Sequence, residues 1–132
     1  MPTSSNLTLN HNMPTNDTCC TIAPYFKVHP GKMAAFKALC EQFMVKTDTE
    51  PGCLYYGFCF NGDEVHCREG YVDAEAMLKH SENVASLFEE ARTIADVTRI
   101  EVHGPESELA KLQGPLASAN VLFFTLEYGF RK

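Results

Sequence analysis

A hairpin signal in the middle of the chain limits its fold more than any other feature. Segments 53–60 and 64–71 carry the aromatic and β-branched residues that suit strands. Asn61-Gly62 lies between them, and this dipeptide favours a two-residue turn of type I′, because both central residues of that turn need positive φ. The pattern therefore predicts two neighbouring antiparallel strands joined by a loop at Asn61-Gly62.

That loop also determines which residues lie opposite each other. On the more apolar face, the expected partners are Phe58 with Val65, Tyr56 with Cys67, and Leu54 with Glu69. We expect helices to cover this face, on which Glu69 and Tyr71 are polar members. An acid on a buried face is costly unless it is hydrogen-bonded or functional, and Glu69 is therefore a candidate site residue.

Helical and strand periodicities place the remaining elements around this hairpin. Residues 19–28 have strand composition, and Pro24 indicates a sheet edge or a bulge because proline cannot donate to the ladder. Apolar residues from Met33 to Met44 recur at helical spacing, which predicts an amphipathic helix of about four turns. Further elements are expected at residues 73–92 (a helix capped by Asp73), 98–103 (a strand), around 109–112 (a short helix) and 121–128 (a strand).

The resulting order is β-α-β-β-α-β with a short helix and a strand appended. This order is typical of the α+β ferredoxin-like fold, in which helices cover one face of an antiparallel sheet. At 132 residues, of which 45% are hydrophobic, the chain has the size and apolar content of one domain. We predict that residues 1–18, rich in Ser, Thr, Asn and Pro, form a disordered tail before a single domain at residues 19–132.

Composition and charge argue against several classes of partner. Lys and Arg number 11 against 17 Asp and Glu, and the formal charge of -6 disfavours binding to nucleic acid. No apolar run approaches the roughly 20 residues that cross a bilayer, and no signal peptide is recognisable, so we expect a cytoplasmic protein without a membrane partner. The 6 cysteines are interpreted as small buried hydrophobes, and the 5 scattered histidines lack the spacing of a metal site.

Two polar side chains fall on the apolar face of the helix predicted at residues 73–92. At about 100° per residue, His80 and Asn83 lie within the same arc as the apolar residues of that helix. Both should therefore point inward, toward the sheet face that carries Glu69 and Tyr71. We predict that these residues share one pocket.

Three segments of the sequence resemble the antibiotic biosynthesis monooxygenase (ABM) superfamily of dimeric α/β-barrel proteins. They are Val28-His-Pro-Gly-Lys32 before the first helix, Glu50-Pro-Gly-Cys53 before the second strand, and the stretch from Glu69-x-Tyr71 to His80. The resemblance covers residues 21 to about 105. It implies a homodimer formed through the sheets, with a pocket between the helices and the sheet of each subunit.

The resemblance also implies an activity. The superfamily includes quinol monooxygenases, which oxygenate electron-rich phenols or quinols with dioxygen and need no metal or organic cofactor. It therefore implies a cofactor-independent oxidoreductase acting on a small aromatic compound. Heme degradation is the less supported branch, because Pro24 falls where that branch has a first-strand Asn. The alternatives are a non-catalytic ligand-binding or stress-response module on the same fold, and a heme-binding protein.

Each candidate residue has a role in the oxygenase interpretation. His80 is the expected catalytic base because imidazole titrates near neutral pH, and Glu69 is expected to orient it or hold its charged form. Asn83 would donate its amide to a substrate oxygen, while Tyr56 and Tyr71 would line the substrate pocket. A structural interpretation fits the same pattern, with His80 bonded to Glu69 or to a backbone carbonyl and the tyrosines buried as core.

Overall fold

The computed structural model describes residues 15–132, in which helices pack on one face of a five-stranded sheet. The strands are β1 (Cys20–Val28), β2 (Cys53–Asn61), β3 (Glu64–Tyr71), β4 (Ala95–Gly104) and β5 (Leu122–Thr125). The helices are α1 (Met33–Thr47), α2 (Ala74–Asn83), α3 (Ala85–Ile94) and α4 (Glu106–Gln113), and a short 3-10 helix follows at Ala117–Ala119. Strand order is β2-β3-β1-β4-β5, antiparallel except for the parallel pair of β4 and β5.

This order confirms the predicted α+β ferredoxin-like fold with an appended helix and strand. The cap at the start of α2 is also confirmed, since the Asp73 carboxylate accepts a hydrogen bond from the backbone N–H of Ala76 at 2.9 Å. The helix predicted as one piece at residues 73–92 is instead two helices. They meet at Val84, whose φ of -107° and ψ of 9° depart from helical values.

The hairpin loop lies one residue later than predicted. Asn61 remains in the strand and pairs with Glu64, so that Gly62 and Asp63 form the loop. Gly62 has a φ of 61° and Asp63 has no positive φ, which is the pattern of a type II′ turn with glycine first. Asn61 therefore does not need the left-handed conformation that the prediction gave it.

This loop position corrects the predicted cross-strand partners. Tyr56 lies opposite Glu69, and Phe58 lies opposite Cys67. Leu54 falls at a register irregularity between Cys53 and Tyr55 and has no strand partner. Because the partner of each residue shifts by two positions, side chains keep the face that the alternation predicted.

Pro24 lies in the middle of the sheet, because β1 runs between β3 and β4. The edge position that the proline suggested is therefore wrong. The ladder with β3 lacks pairs at Ala23 and Pro24, and the ladder with β4 shifts register between Tyr25 and Phe26. The irregularity next to the proline agrees with the bulge alternative.

The predicted tail at residues 1–18 lies for its first 14 residues outside the described part of the chain. Its last residues contact the domain. The carboxylate of Asp17 accepts hydrogen bonds from Arg131 at 2.8 and 3.0 Å, and the hydroxyl of Thr18 donates to the carbonyl of Val72 at 2.6 Å. The first contact links the start of the domain to its C-terminal end, and the second links it to the segment between β3 and α2.

The core consists of two apolar clusters on the helix-covered face of the sheet. The first packs α1 and α3 against the sheet around Phe26, Phe36 and Leu87. The second packs α2 and α4 against it around Met77 and Leu112. Fully burying a large apolar side chain stabilises a fold by roughly 1.5–3 kcal/mol, so both clusters hold the helical layer in place. Within residues 15–132, no helix is long and apolar enough to span a membrane.

Candidate active site

A cavity of about 240 Å³ lies between the helices and the sheet. Residues from both core clusters form much of its apolar wall, and Pro24 and Ile100 add to it. The cluster residues on the wall include Ile22, Phe26, Phe43, Phe58, Phe88, Leu116 and Val121. Among residues 15–132, the polar lining consists of Tyr56, Cys67, Glu69, His80, Ser81 and Glu89. Among the lining residues, Ala85, Glu89 and Ala119 are exposed, so the mouth lies between α3 and the segment after α4.

His80 is held by carboxyl groups on both of its ring nitrogens. Its Nδ1 lies 2.9 and 3.0 Å from the two carboxylate oxygens of Glu50, and its Nε2 lies 3.3 Å from Oε1 of Glu69. A neutral imidazole that donates Nδ1–H to Glu50 keeps Nε2, on the side of Glu69, as an acceptor. Glu50 thus selects the tautomer in which Nε2 is able to accept a proton.

Glu69 lines the cavity and is buried. Burial raises the pKa of its carboxyl group to about 8, and the hydrogen bonds from Tyr71 and Cys67 offset this rise only in part. The Tyr71 hydroxyl donates to Oε1 of Glu69 at 2.6 Å. At neutral pH the site therefore holds Glu69 mainly as a neutral acid that has a proton to donate.

The pKa of His80 shifts in the opposite direction to that of Glu69. Burial lowers the pKa of His80, while its bond to Glu50 and the charge of Glu50 act against this effect. The neutral imidazole is thus favoured near neutral pH, as a base requires. A neutral acid and a neutral base lie side by side, which is the pairing that moves protons between a substrate and the protein.

The structure brings three of the five predicted site residues to the cavity wall: His80, Glu69 and Tyr56. The rings of Tyr56 and His80 are 5.4 Å apart. Tyr71 is fully buried behind Glu69 and does not line the cavity. It therefore contacts Glu69 rather than the space for a ligand.

Asn83 also lies away from the cavity, contrary to its predicted role. Its amide donates to Oε2 of Glu50 at 2.8 Å and to the backbone carbonyl of Lys46 at 3.1 Å. Asn83 is the last residue of α2, and its side chain reaches the end of α1 instead of the sheet. Its contacts position Glu50, which in turn positions His80.

Glu50 is the residue that sequence reasoning left without a role. It belongs to the turn between α1 and β2 and is separated from His80 by 30 positions. Neither helical nor strand periodicity covers a turn residue. The signal in the sequence was its place before Pro51-Gly52 in one of the three segments that carry the family resemblance.

The fold and the site define an α+β ferredoxin-like domain with an acid–histidine pair at the end of an apolar cavity. Residues 21–92 match the family described as "Antibiotic biosynthesis monooxygenase". This match spans more than half of the chain, which therefore belongs to the antibiotic biosynthesis monooxygenase family. No curated protein matches the chain.

Solved structures agree with this assignment. MupZ from Pseudomonas fluorescens is similar over 88% of this chain and 96% of its own, with 50% identity and a TM-score of 0.85. A conserved protein from Methanosarcina mazei Go1 is 21% identical over 64% of this chain and 90% of its own, with a TM-score of 0.61. A protein described as an antibiotic biosynthesis monooxygenase is 18% identical over 63% and 92%, with a TM-score of 0.56. The last two comparisons show the shared fold.

Proposed function

We propose that this protein is a cofactor-independent monooxygenase that acts on a small phenolic or quinol-type compound. Membership of the family supports a monooxygenase-like activity. The observation that carries the proposal is the orientation of His80, whose Nε2 lies 3.3 Å from the cavity-lining Glu69 while Glu50 holds Nδ1. A phenolate reduces dioxygen far better than the neutral phenol, so proton removal by His80 starts the reaction.

The substrate supplies every electron in this reaction. One oxygen atom enters a ring carbon as a carbonyl, which turns the ring into a quinone. The other oxygen atom leaves as water with two hydrogens, one from that ring carbon and one from the phenolic hydroxyl. The apolar walls keep bulk water from the anion and from partly reduced oxygen. Glu69, in its neutral form, donates a hydrogen bond to the oxygen on which negative charge develops.

Cavity size favours a small ligand. Its volume of about 240 Å³ lies just below the range of roughly 300–1,000 Å³ that is usual for small-molecule sites. A single aromatic ring with a short substituent suits this space, and the Tyr56 ring on the wall offers it an aromatic contact. Heme is much larger, which supports the oxygenase over the heme-binding alternative.

We also propose that two copies pair through the uncovered face of the sheet. Exposed apolar side chains lie on this face at both of its edges, with Tyr55 on β2 and Leu122 and Phe124 on β5. Pairing would remove them from water. Ala23→Glu, on the central strand, should then halve the mass measured by light scattering. The matched Ala35→Glu, on the exposed side of α1, should not; an unchanged mass in both would contradict the dimer.

The acid–base pair also supports a second candidate: a proton-transfer enzyme that uses no oxygen. The neutral Glu69 beside neutral His80 favours it, since this pair is able to protonate one substrate oxygen and deprotonate another. Isomerisation and intramolecular addition both belong to this reaction class. The two candidates share the proton transfer and differ in whether dioxygen is consumed.

An oxygen electrode separates these candidates. The full chain is incubated with a panel of small phenols and hydroquinones, with and without air, and the products are identified by mass spectrometry. The oxygenase predicts oxygen uptake and a mass gain from dioxygen labelled with the heavy isotope. Product formed equally well without air favours the proton-transfer enzyme. Binding without turnover supports a ligand-binding module, and a Soret band on titration with hemin supports heme binding.

A further inference from the structure

The segment after α4 closes one side of the cavity. Leu116 and Val121 lie on its wall and are half-buried, while Ala119 lies at the mouth. The family match ends at Arg92, so these three residues lie outside the region that the chain shares with the family at large. The wall at this side follows β4 and so belongs to the appended segment rather than to the β-α-β-β-α-β core.

The cavity lining combines a buried polar pair with apolar side chains. Glu69 and His80 form the polar pair, with side-chain exposures of 5% and 7%. Leu116 and Val121 are part of the apolar lining, and both pack against the second core cluster, which holds them in place. Glu89 is the charged residue at the mouth. A ligand that enters past Glu89 thus meets apolar walls before it reaches the acid and the base.

We propose that residues 114–121 are a selectivity wall that limits the length of the substrate. The substrate class is an uncharged molecule with an oxygen-bearing group at the Glu69 and His80 end and an apolar body directed at Leu116 and Val121. This inference rests on the proposed function only in taking the cavity as the substrate site. Burial of the apolar body strengthens binding as this body becomes longer. Once it contacts the wall, a longer body no longer strengthens binding, because overpacking is unfavourable.

Charge at the mouth supports an uncharged body. The carboxylate of Glu89 and the formal charge of -6 both repel an anionic ligand. The apolar walls offer no cation to a carboxylate or phosphate on the ligand, and burying an unpaired charge is costly. A neutral alkyl or aryl body meets none of these penalties.

A series of 4-alkylphenols tests the wall directly, with affinity measured by isothermal titration calorimetry. In the unmodified protein, each added methylene should tighten binding by about three- to four-fold until the chain meets the wall, and then stop doing so. In Leu116→Ala, affinity should keep rising for one or two further methylenes. In Ala119→Leu, affinity should stop rising at a shorter alkyl chain. Because Ala119 is exposed, this variant does not disturb the core.

Two controls accompany these variants. Leu54→Ala removes the same atoms from an exposed leucine that does not line the cavity, and Ser118→Ala alters an exposed residue between Leu116 and Ala119 that does not line it either. Both should keep the length limit of the unmodified protein. Thermal unfolding of every variant identifies any loss of folding.

Three outcomes contradict the proposal. They are a length limit that Leu116→Ala and Ala119→Leu leave unchanged, an equal change in the controls, and a failure of all alkylphenols to bind the unmodified protein. The binding measurements need no turnover. A lack of oxygen uptake would therefore contradict the proposed monooxygenase activity without affecting the measured length limit. Conversely, oxygen uptake with no dependence on Leu116 or Ala119 overturns the wall alone.

Discussion

The two faces of the sheet carry similar groups of residues in different surroundings. On the helix-covered face, the inner group consists of His80, Glu69 and Glu50. On the uncovered face, the outer group consists of His103, Glu101 and Arg99, in which Nε2 of His103 lies 3.1 Å from Glu101 and Arg99 donates to the same carboxylate. Both groups therefore combine a histidine with a carboxylate at hydrogen-bond distance.

The pKa values of Glu69 in the inner group and Glu101 in the outer group shift in opposite directions. Burial raises the pKa of Glu69 to about 8, whereas the hydrogen bond from Arg99 lowers the pKa of Glu101. Hydrogen bonds from Arg99 and His103 favour the charged form of the outer acid, whereas burial favours the neutral form of the inner acid. The difference shows that burial, and not residue type, makes the inner group a proton donor.

The largest expected difference between the groups is in turnover. His80→Ala removes the base, and turnover should fall by about 10²- to 10⁴-fold, the usual contribution of general acid–base catalysis. His103→Ala removes the outer histidine and should leave turnover unchanged. Steady-state rates with any active substrate measure both. Comparable losses in the two variants would remove the distinction between the groups.

The second prediction concerns stability and pH. Folded Glu69 keeps its proton up to about pH 8, whereas the unfolded chain releases it near 4.5, so the folded state binds more protons between these values. The contribution of Glu69 to the free energy of unfolding should therefore fall as pH rises through this window, by up to about 5 kcal/mol. Glu69→Gln should flatten this slope in denaturant titrations.

The outer acid provides the control for this experiment. Because folding lowers the pKa of Glu101, this residue stabilises the folded state at pH values above its pKa in the unfolded chain. That stabilisation is lost as pH falls toward its pKa in the folded chain. Glu101→Gln should therefore leave the slope between pH 4.5 and 8 unchanged. If the slope persists in Glu69→Gln, Glu69 does not carry a raised pKa.

A third, smaller effect is expected from the residue that orients the base. Glu50→Gln keeps the shape of the side chain and removes the charge that favours Nδ1–H of His80. Turnover should fall by about 10- to 100-fold, as for other residues that orient a histidine. Nitrogen NMR of the imidazole should show a changed tautomer population. An unchanged tautomer with lower turnover would point to a role for Glu50 other than positioning.

Asn83→Ala should have the smallest effect. It removes one hydrogen bond to Glu50 and one to the carbonyl of Lys46. A loss of about 1 kcal/mol in the positioning of Glu50 corresponds to roughly a five-fold lower turnover. The affinity for substrate should stay the same, because Asn83 does not line the cavity. A large loss of affinity would instead support its predicted role as a substrate ligand.

Several features of the fold could be predicted from local patterns. Alternation along the hairpin identified the face that carries Glu69, and helical periodicity turned His80 toward it. The loop position was wrong because Asn-Gly is compatible with both turn types, and the choice of Gly62 as the first loop residue depends on how the strands pair. The break at Val84 had no glycine or proline to signal it.

The order of the elements and the shared location of Glu69 and His80 follow from the sequence alone, because periodicity and turn chemistry act over a few residues. The bond between Glu50 and His80 depends on the packing of α1, α2 and β2, since it joins positions 30 apart in the chain. Packing also turned Asn83 toward α1 and buried Tyr71 behind Glu69. The chemistry of the site was decided at this level, because the raised pKa of Glu69 comes from a burial that no local pattern measures.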